Sequence, residues 1–520
     1  MSEKWDVIVV GAGIGGLSAA AKLVTSGLRV LVLDKSMHPG GTAYVFTRQG
    51  FTFPMGPLGF SSPRLVRNAL KGIGQDNDLE FCRVHYQIAA FGRRVPLSLP
   101  FPRLEKVMQE HFPSDKRGIR QFFGDMEKTL FAMRSADSEI NHPFLQKLTT
   151  ISAREHISTL VKDWRLCRIL GSLGTREAYT GLPLLAAMWD LMSNEGIWYP
   201  RGGMRSFSDR LMKAVTDAGK EHGGTGEIRL GVQVKRIRVR HNRVVGVTLA
   251  NDVDIDVTRV IANADYKTTF MKLIEPEALP ATWRRAIANA KQSGSVYQVC
   301  LGVDISRIDL SAFSEASRLI YRQIDAATPH KEKKPDWSTQ QVDPKVLACQ
   351  ELEVALWSKE DPRLAPEQGA VIVIRTEADY DHFTRYRPSY GQRSSAYRTY
   401  KTEFGMALVR ATANLLPGLE DAIIVMDTAT PLTFEEQGGR SEGAVAGWSW
   451  NYKDNPNYQP LELIRTAIRG LYMSGYQAYS ALFMGGVPTA MVSGFRAAEA
   501  LLEDTGPVEE VRIPGIVSNP

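Results

Sequence analysis

The chain has 520 residues, and 63 basic against 57 acidic side chains leave a formal charge of only +6. With 43% hydrophobic and 23% charged residues it can bury a sizeable core and form two or three domains. The charge is too dilute, and too free of Lys/Arg-rich blocks with interleaved aromatics, for a nucleic-acid partner. The four cysteines, Cys82, Cys167, Cys300 and Cys349, show neither Cys-x-x-Cys nor Cys/His spacing, so we expect no metal site and thiols kept in a reducing compartment.

The first element predicted is a β-branched strand from Asp6 to Val10, running into Gly11-Ala12-Gly13-Ile14-Gly15-Gly16 and a small-residue helix. In this Gly-x-Gly-x-x-Gly, Gly11 permits the tight turn, Gly13 lets backbone N–H groups approach a pyrophosphate, and Gly16 brings the helix close to the strand. The N-terminus of the helix adds partial positive charge. A second strand, Arg29 to Leu33, ends in Asp34, where a carboxylate must grip an adenosine ribose. The complete βαβ spacing predicts a Rossmann-like dinucleotide site. Lys35 and the pair Gly40-Gly41-Thr42 then provide a second backbone approach, which a nicotinamide does not need and FAD does.

This acid-basic-…-Gly-Gly pattern resembles the flavin amine oxidase and phytoene desaturase superfamily. Its acid is more often Glu, so Asp34 leaves NAD open at this point. Later pieces fit the same resemblance. Trp198-Tyr-Pro-Arg-Gly202-Gly203-Met204 precedes an amphipathic helix over 206–215. A strand over 228–239 follows, with a hairpin through Asn242; in the family the backbone at Val234 meets adenine. Val260-Ile-Ala-Asn263-Ala-Asp265 is similar to the family's closing strand. Leu471 to Gly475 reads as a short strand, and Gly485-Gly486-Val487-Pro488 leads into a helix over 489–502 whose N-terminus faces the flavin.

Further stretches narrow the likeness to the phytoene desaturase, carotenoid isomerase and retinol saturase group. They are Gly50-Phe-Thr-Phe-Pro-Met-Gly56-Pro57, the His111 to Phe122 stretch, Met188 to Gly203, and Thr430-Pro-Leu-Thr433. Pro54 stands where the group carries Asp, and Tyr476-Gln477-Ala-Tyr479 replaces its usual run after Gly475. The resemblance implies an α/β fold with a discontinuous FAD-binding domain (1–94, 197–264 and 470–504). A helical lid (95–196), a mixed-sheet substrate domain (265–469) and a loose tail (505–520) complete it. Cofactor contacts are expected from Gly11, Ala12, Gly13, Gly15, Gly16, Asp34, Lys35, Gly41, Thr42, Gly56, Val234, Gly475, Gly486 and Val487.

Helices are predicted over 104–112, 119–133 and 157–173, strands over 296–303 and 370–375, and an exposed loop over 330–341. The apolar block Leu182 to Trp189 reads either as core or as a lid dipping into lipid. Residues 7–21 imitate a signal peptide without its basic region or cleavage site, and the uncharged run 471–495 is broken by glycines and Pro488. Cytoplasmic location, with peripheral membrane contact, is the expectation.

No Ser/His/Asp set or carboxylate pair assigns a catalytic acid or base, and a flavin can carry the redox step itself. Trp448, Trp450, Tyr452, Tyr476 and Tyr479 are candidates to line an apolar tunnel. The resemblance implies desaturation, saturation or cis–trans isomerisation of a long isoprenoid polyene, with an unassigned electron partner. An amine oxidase, or a prenyl-binding protein without catalysis, are the alternatives on this fold.

Overall fold

The structure is a computed structural model describing residues 5–135, 148, 151–178, 181–217, 223–323, 334–387, 393–449, 461–480 and 486–503. Its α/β architecture rests on two large sheets.

The first sheet has five strands, all parallel, in the order Leu471–Met473, Val260–Ala262, Val7–Val10, Arg29–Asp34, Thr225–Leu230. A parallel sheet covered on both faces needs strands that are apolar throughout. Val7, Ile8 and Val9, like Val30, Leu31 and Val32, are all fully buried. Helices Ile14–Thr25, Arg205–Asp217 and Val487–Glu503 share this core. The expected strand over 228–239 is two strands in two sheets. The chain turns at Gly231, with φ +70°, and Val234–Arg240 joins an antiparallel sheet with Arg243–Leu249 and Asp254–Asp256.

The second sheet is mixed and seven-stranded, ordered Ile423–Ala429, Ser295–Asp304, Gly369–Ala378, Leu352–Leu356, Arg318–Tyr321, Tyr86–Ala90, Arg93–Pro96. Both strands expected here are present and longer than their predicted cores. The hairpin 86–96, expected largely with the first piece of the FAD domain, pairs instead with Arg318–Tyr321. One face of this sheet is sealed by helix Ser395–Thr412 over Val299, Leu301, Val354 and Ile374.

A separate helical core holds Phe101–His111, Lys116–Ser135, Ala153–Leu160, Trp164–Ser172 and Leu182–Asp190. The helix expected over 157–173 is broken after Leu160. Asp163 caps the second half, accepting the Arg165 backbone N–H at 2.9 Å. The apolar block is core: Leu185, Ala186 and Trp189 are fully buried, and the Trp189 indole donates to the Leu170 carbonyl at 2.8 Å. Among the described residues no helix is long and apolar enough to cross a membrane. Trp450, Tyr452, Gly485, residues 330–333 and the tail lie outside the described residues, and 334–341 is a largely exposed loop.

Candidate active site

At the C-terminal ends of the parallel strands, backbone dominates. Gly11 donates to the Leu33 carbonyl at 2.7 Å, which sets Asp34 beside the turn. The two Asp34 oxygens accept the backbone N–H groups of Ala12 (2.6 Å) and Ser36 (2.7 Å). Burial outweighs these bonds and pushes the Asp34 carboxyl above its ordinary value. The two glycine loops are tied together where Gly40 donates to the Ala12 carbonyl at 2.8 Å.

No side chain fits between these loops. A Cβ on Gly16 would lie 2.0 Å from the Gly11 carbonyl oxygen, and one on Gly13 2.7 Å from Asn263 Nδ2. At Gly15 a Cβ would lie 2.7 Å from the Gly475 nitrogen, so the loop after the strand Leu471–Met473 rests directly on the first helix. The Gly475 N–H is held by Ser493 Oγ at 2.8 Å. Gly56 lies against Thr42, whose hydroxyl accepts Arg440 Nη2 at 2.6 Å.

The structure brings most of the expected residues to one cavity of about 2070 Å³. Gly11, Gly13, Gly15, Asp34, Lys35, Gly41, Thr42, Gly56, Val234, Gly475, Gly486 and Val487 all line it. Ala12 and Gly16 sit behind its wall, acting through the backbone and through helix packing. The Lys35 ammonium donates to the Glu436 carbonyl at 3.4 Å. Backbone donors, a carboxylate and the N-terminus of helix Val487–Glu503 form a donor set that suits a dinucleotide.

Sequence reasoning left Asn263, Ser493 and Gly494 out of the site. Asn263 lines the cavity against Gly11, Gly13 and Gly15, accepting from the Ser474 hydroxyl at 3.2 Å. Its motif was the available signal. A Cβ on Gly494 would lie 2.2 Å from the Gly15 carbonyl oxygen, so the first and last helices cross in near-contact.

Farther along, the same cavity is lined by Leu173, Met188, Met192 and Ile320, and by Tyr86, Arg322, Glu351, Glu353 and Arg375. Of the expected aromatics, Tyr476 lines the cavity with Arg440 stacked on its ring at 4.4 Å. Trp448 is core, donating to the Gln477 carbonyl at 3.0 Å, and Tyr479 packs under Arg496. Asp265, expected at the closing strand, is buried and raised above its ordinary pKa by that burial; it accepts from Ser441 and from the Thr268 N–H. Among the described residues no cluster of three His, Cys, Asp or Glu side chains is placed to hold a metal.

Residues 14–320, more than half of the chain, match the family described as flavin containing amine oxidoreductase. The chain belongs to that family. It is an FAD-dependent oxidoreductase. Over 97% of its length it is 26% identical to a prolycopene isomerase of Daucus carota, covering 81% of that protein. It is 25% identical to a lycopene-forming phytoene desaturase of Pantoea ananas, covering 95% of this chain and 99% of that one. An inactive all-trans-retinol 13,14-reductase of Danio rerio is 24% identical over 96% of this chain and 86% of its own. Among solved structures, a putrescine oxidase variant superposes with a TM-score of 0.61 at 16% identity, covering 96% of this chain and 99% of that one. An oxidoreductase of Methanosarcina mazei gives 0.60 at 16%, covering 95% and 99%. At such identities the superpositions speak for the fold alone.

Proposed function

We propose that the protein is a flavoenzyme acting on a long isoprenoid polyene by desaturation, saturation or cis–trans isomerisation. The observation that carries this reading is the single cavity joining the dinucleotide cradle to a lining of Leu173, Met188, Met192 and Ile320. An elongated apolar ligand fits such a space beside a dinucleotide. The near full-length similarity to enzymes named for prolycopene and phytoene supports the same class.

In this reading the backbone of Gly11, Gly13 and Gly15 meets the pyrophosphate, with Ala12 and Gly16 supporting the loop from behind the wall. Asp34, with Lys35 beside it, takes the ribose, and Val234 takes the adenine. Gly41, Thr42, Gly56, Gly475, Gly486 and Val487 frame the flavin ring. The pieces 1–94, 197–264 and 470–504, apart from the hairpin that begins at Tyr86, then act as the FAD domain, 265–469 with that hairpin as the substrate domain and the rest of 95–196 as a helical cover. When bound, FAD supplies reversible two-electron exchange. The protein holds the polyene in register, excludes water and steadies charge that develops in the site. The N-terminus of helix Val487–Glu503 favours negative charge there.

We read the protein as meeting the membrane that stores so apolar a substrate. Phe131 is 74% exposed on helix Lys116–Ser135, between Lys128 and Arg134, whose exposed side chains pair with Asp125 and Asp190. An apolar tip flanked by cations suits an anionic interface.

The test is expression in cells that accumulate poly-cis carotenes, followed by chromatography and mass spectrometry of the lipids and fractionation of the lysate. Loss of hydrogen marks a desaturase, gain a saturase, and altered retention at unchanged mass an isomerase. The protein should sediment with membranes and be released by a carbonate wash. Flavin-loaded protein beside unchanged polyenes would overturn the substrate class and leave the fold and cofactor standing.

A further inference from the structure

The wall that faces the substrate space is not the wall a bare hydrocarbon needs. In strands Leu352–Leu356 and Gly369–Ala378, alternate residues point to opposite faces. Val354 and Ile374 are fully buried under the helix that seals one face. Glu353 and Arg375, paired directly across the two strands, line the cavity on the other. A strand buried on one side and covered by hydrocarbon on the other would be apolar on both.

Glu353 and Arg375 attract each other as cross-strand neighbours but make no direct bond. Glu353 Oε1 accepts the Tyr86 hydroxyl at 2.9 Å. Arg375 Nε donates to Gln298 Oε1 at 2.7 Å, and its Nη2 donates to Gln298 and to the Gly56 carbonyl. Among the described residues Arg375 has no carboxylate within 4.0 Å. Both charges are thus also held by neutral partners, side by side on the cavity wall. Covering them with hydrocarbon alone would remove their solvation without replacing it.

The balance of charge narrows the missing partner. Arg375 stands beside Glu353, and Arg176 pairs with Glu351 at 2.6 Å on the same cavity. An ionic ligand group would meet one member of each pair with the wrong sign. A hydroxyl both donates and accepts, so it can give its hydrogen to Glu353 and receive one from Arg375.

We infer that Glu353 and Arg375 are specificity-determining residues that select an isoprenoid bearing a hydroxyl group over the bare hydrocarbon. This rests on the isoprenoid reading above and narrows it. The hydroxyl meets the cavity-facing polar atoms of these two neighbouring side chains, while Leu173, Met188, Met192 and Ile320 take the chain. Such a site rejects the analogue lacking the hydroxyl because its own polar groups are then left unpaired.

The test uses full-length, FAD-loaded protein and three matched probes in detergent micelles: all-trans-retinol, all-trans-retinoic acid and the corresponding deoxy hydrocarbon. Binding is read from the perturbation of the flavin spectrum. The alcohol should bind at least about tenfold more tightly than the hydrocarbon, with the acid weaker than the alcohol. Glu353→Gln and Arg375→Met should each bring the alcohol-to-hydrocarbon ratio towards one, by weakening the alcohol and strengthening the hydrocarbon. If Arg375→Met does not retain flavin, the near-isosteric Glu353→Gln decides. Equal binding of alcohol and hydrocarbon overturns the inference and leaves the polyene reading intact, as does acid binding as tight as the alcohol. A Glu353→Gln variant that lowers all three affinities together, or that changes only FAD retention, also overturns it. Binding of none of the probes by flavin-loaded protein would remove both readings.

Discussion

The two ends of the cavity are built from different materials. Around Gly11–Gly16 and Gly40–Thr42 the wall is mostly peptide backbone, tied together by bonds such as Gly40 N–H to the Ala12 carbonyl. Across the mixed sheet the wall is side chain: Tyr86, Glu353 and Arg375 project from strands whose backbone pairing accommodates many other residues. A backbone site depends on close approach and fails when any side chain intrudes. A side-chain site depends on which groups stand at a few register positions, so it can change specificity while the fold persists. In the reading proposed above, the first end holds the cofactor, and the second is where specificity is set.

The sharpest way to break the first half of this contrast is Gly16→Val. Its Cβ would enter the space of the Gly11 carbonyl oxygen, which backbone cannot vacate cheaply. We expect the variant to be recovered without flavin or not to fold, as read from the ratio of visible flavin absorbance to protein. The contrasting control is Gly124→Ala on helix Lys116–Ser135, where an added Cβ meets nothing within 4 Å. It should keep full flavin and gain about 0.5–1 kcal/mol of stability. Equal flavin content in the two variants would mean that the close approach is not what the cradle requires.

The next effect tests the side-chain half. Arg318, fully buried in the mixed sheet, pairs with Glu360 at 3.1 Å and also donates to the Leu58 and Leu356 carbonyls. Arg318→Met strands a buried carboxylate and should cost about 3–5 kcal/mol. The double variant Arg318→Met with Glu360→Met should recover most of that loss, as measured by thermal melts of the flavin-loaded protein. A double variant as unstable as the single one would show that the carbonyl contacts, rather than the charge pair, hold this region.

The same division explains what could be read from the sequence. The glycine spacing, the acid after the second strand and the uncharged run before the last helix were legible because close backbone approach restricts residue type severely. Gly231 was not read as a break, since the apolar alternation continues past it from Ile228 to Val239 while the chain passes between sheets. The hairpin 86–96 was not read at all, and its pairing with Arg318–Tyr321, more than two hundred residues away, left no local signal against a boundary at 94. Glu353 and Arg375 carried no signal at all. Isolated charges in a β-rich sequence usually mark a solvated face, and only the register shows that this face borders a cavity.

The smallest effect sets the two kinds of wall against each other at one residue, because Asp34 is the side chain on which the backbone cradle depends. Burial raises its pKa, so its ionised form is lost on acidification at a higher pH than for an ordinary carboxyl. Ribose hydroxyls donate to the ionised form, so FAD affinity should be full above the Asp34 pKa and fall as pH drops through it. For the apoprotein the sign is opposite: the folded chain holds this proton more tightly than the unfolded chain, so ionisation costs stability as pH rises between the two values. Asp34→Asn should remove the acid limb of FAD release. It should also weaken binding at neutral pH by about 1–3 kcal/mol, because the amide NH₂ must face the N–H of Ala12 or Ser36 where a carboxylate oxygen now accepts. Fluorescence of released FAD against pH measures both effects. Acid release unchanged in Asp34→Asn would assign the proton to another group of the cavity, with buried Asp265, whose pKa is also raised, the next to replace.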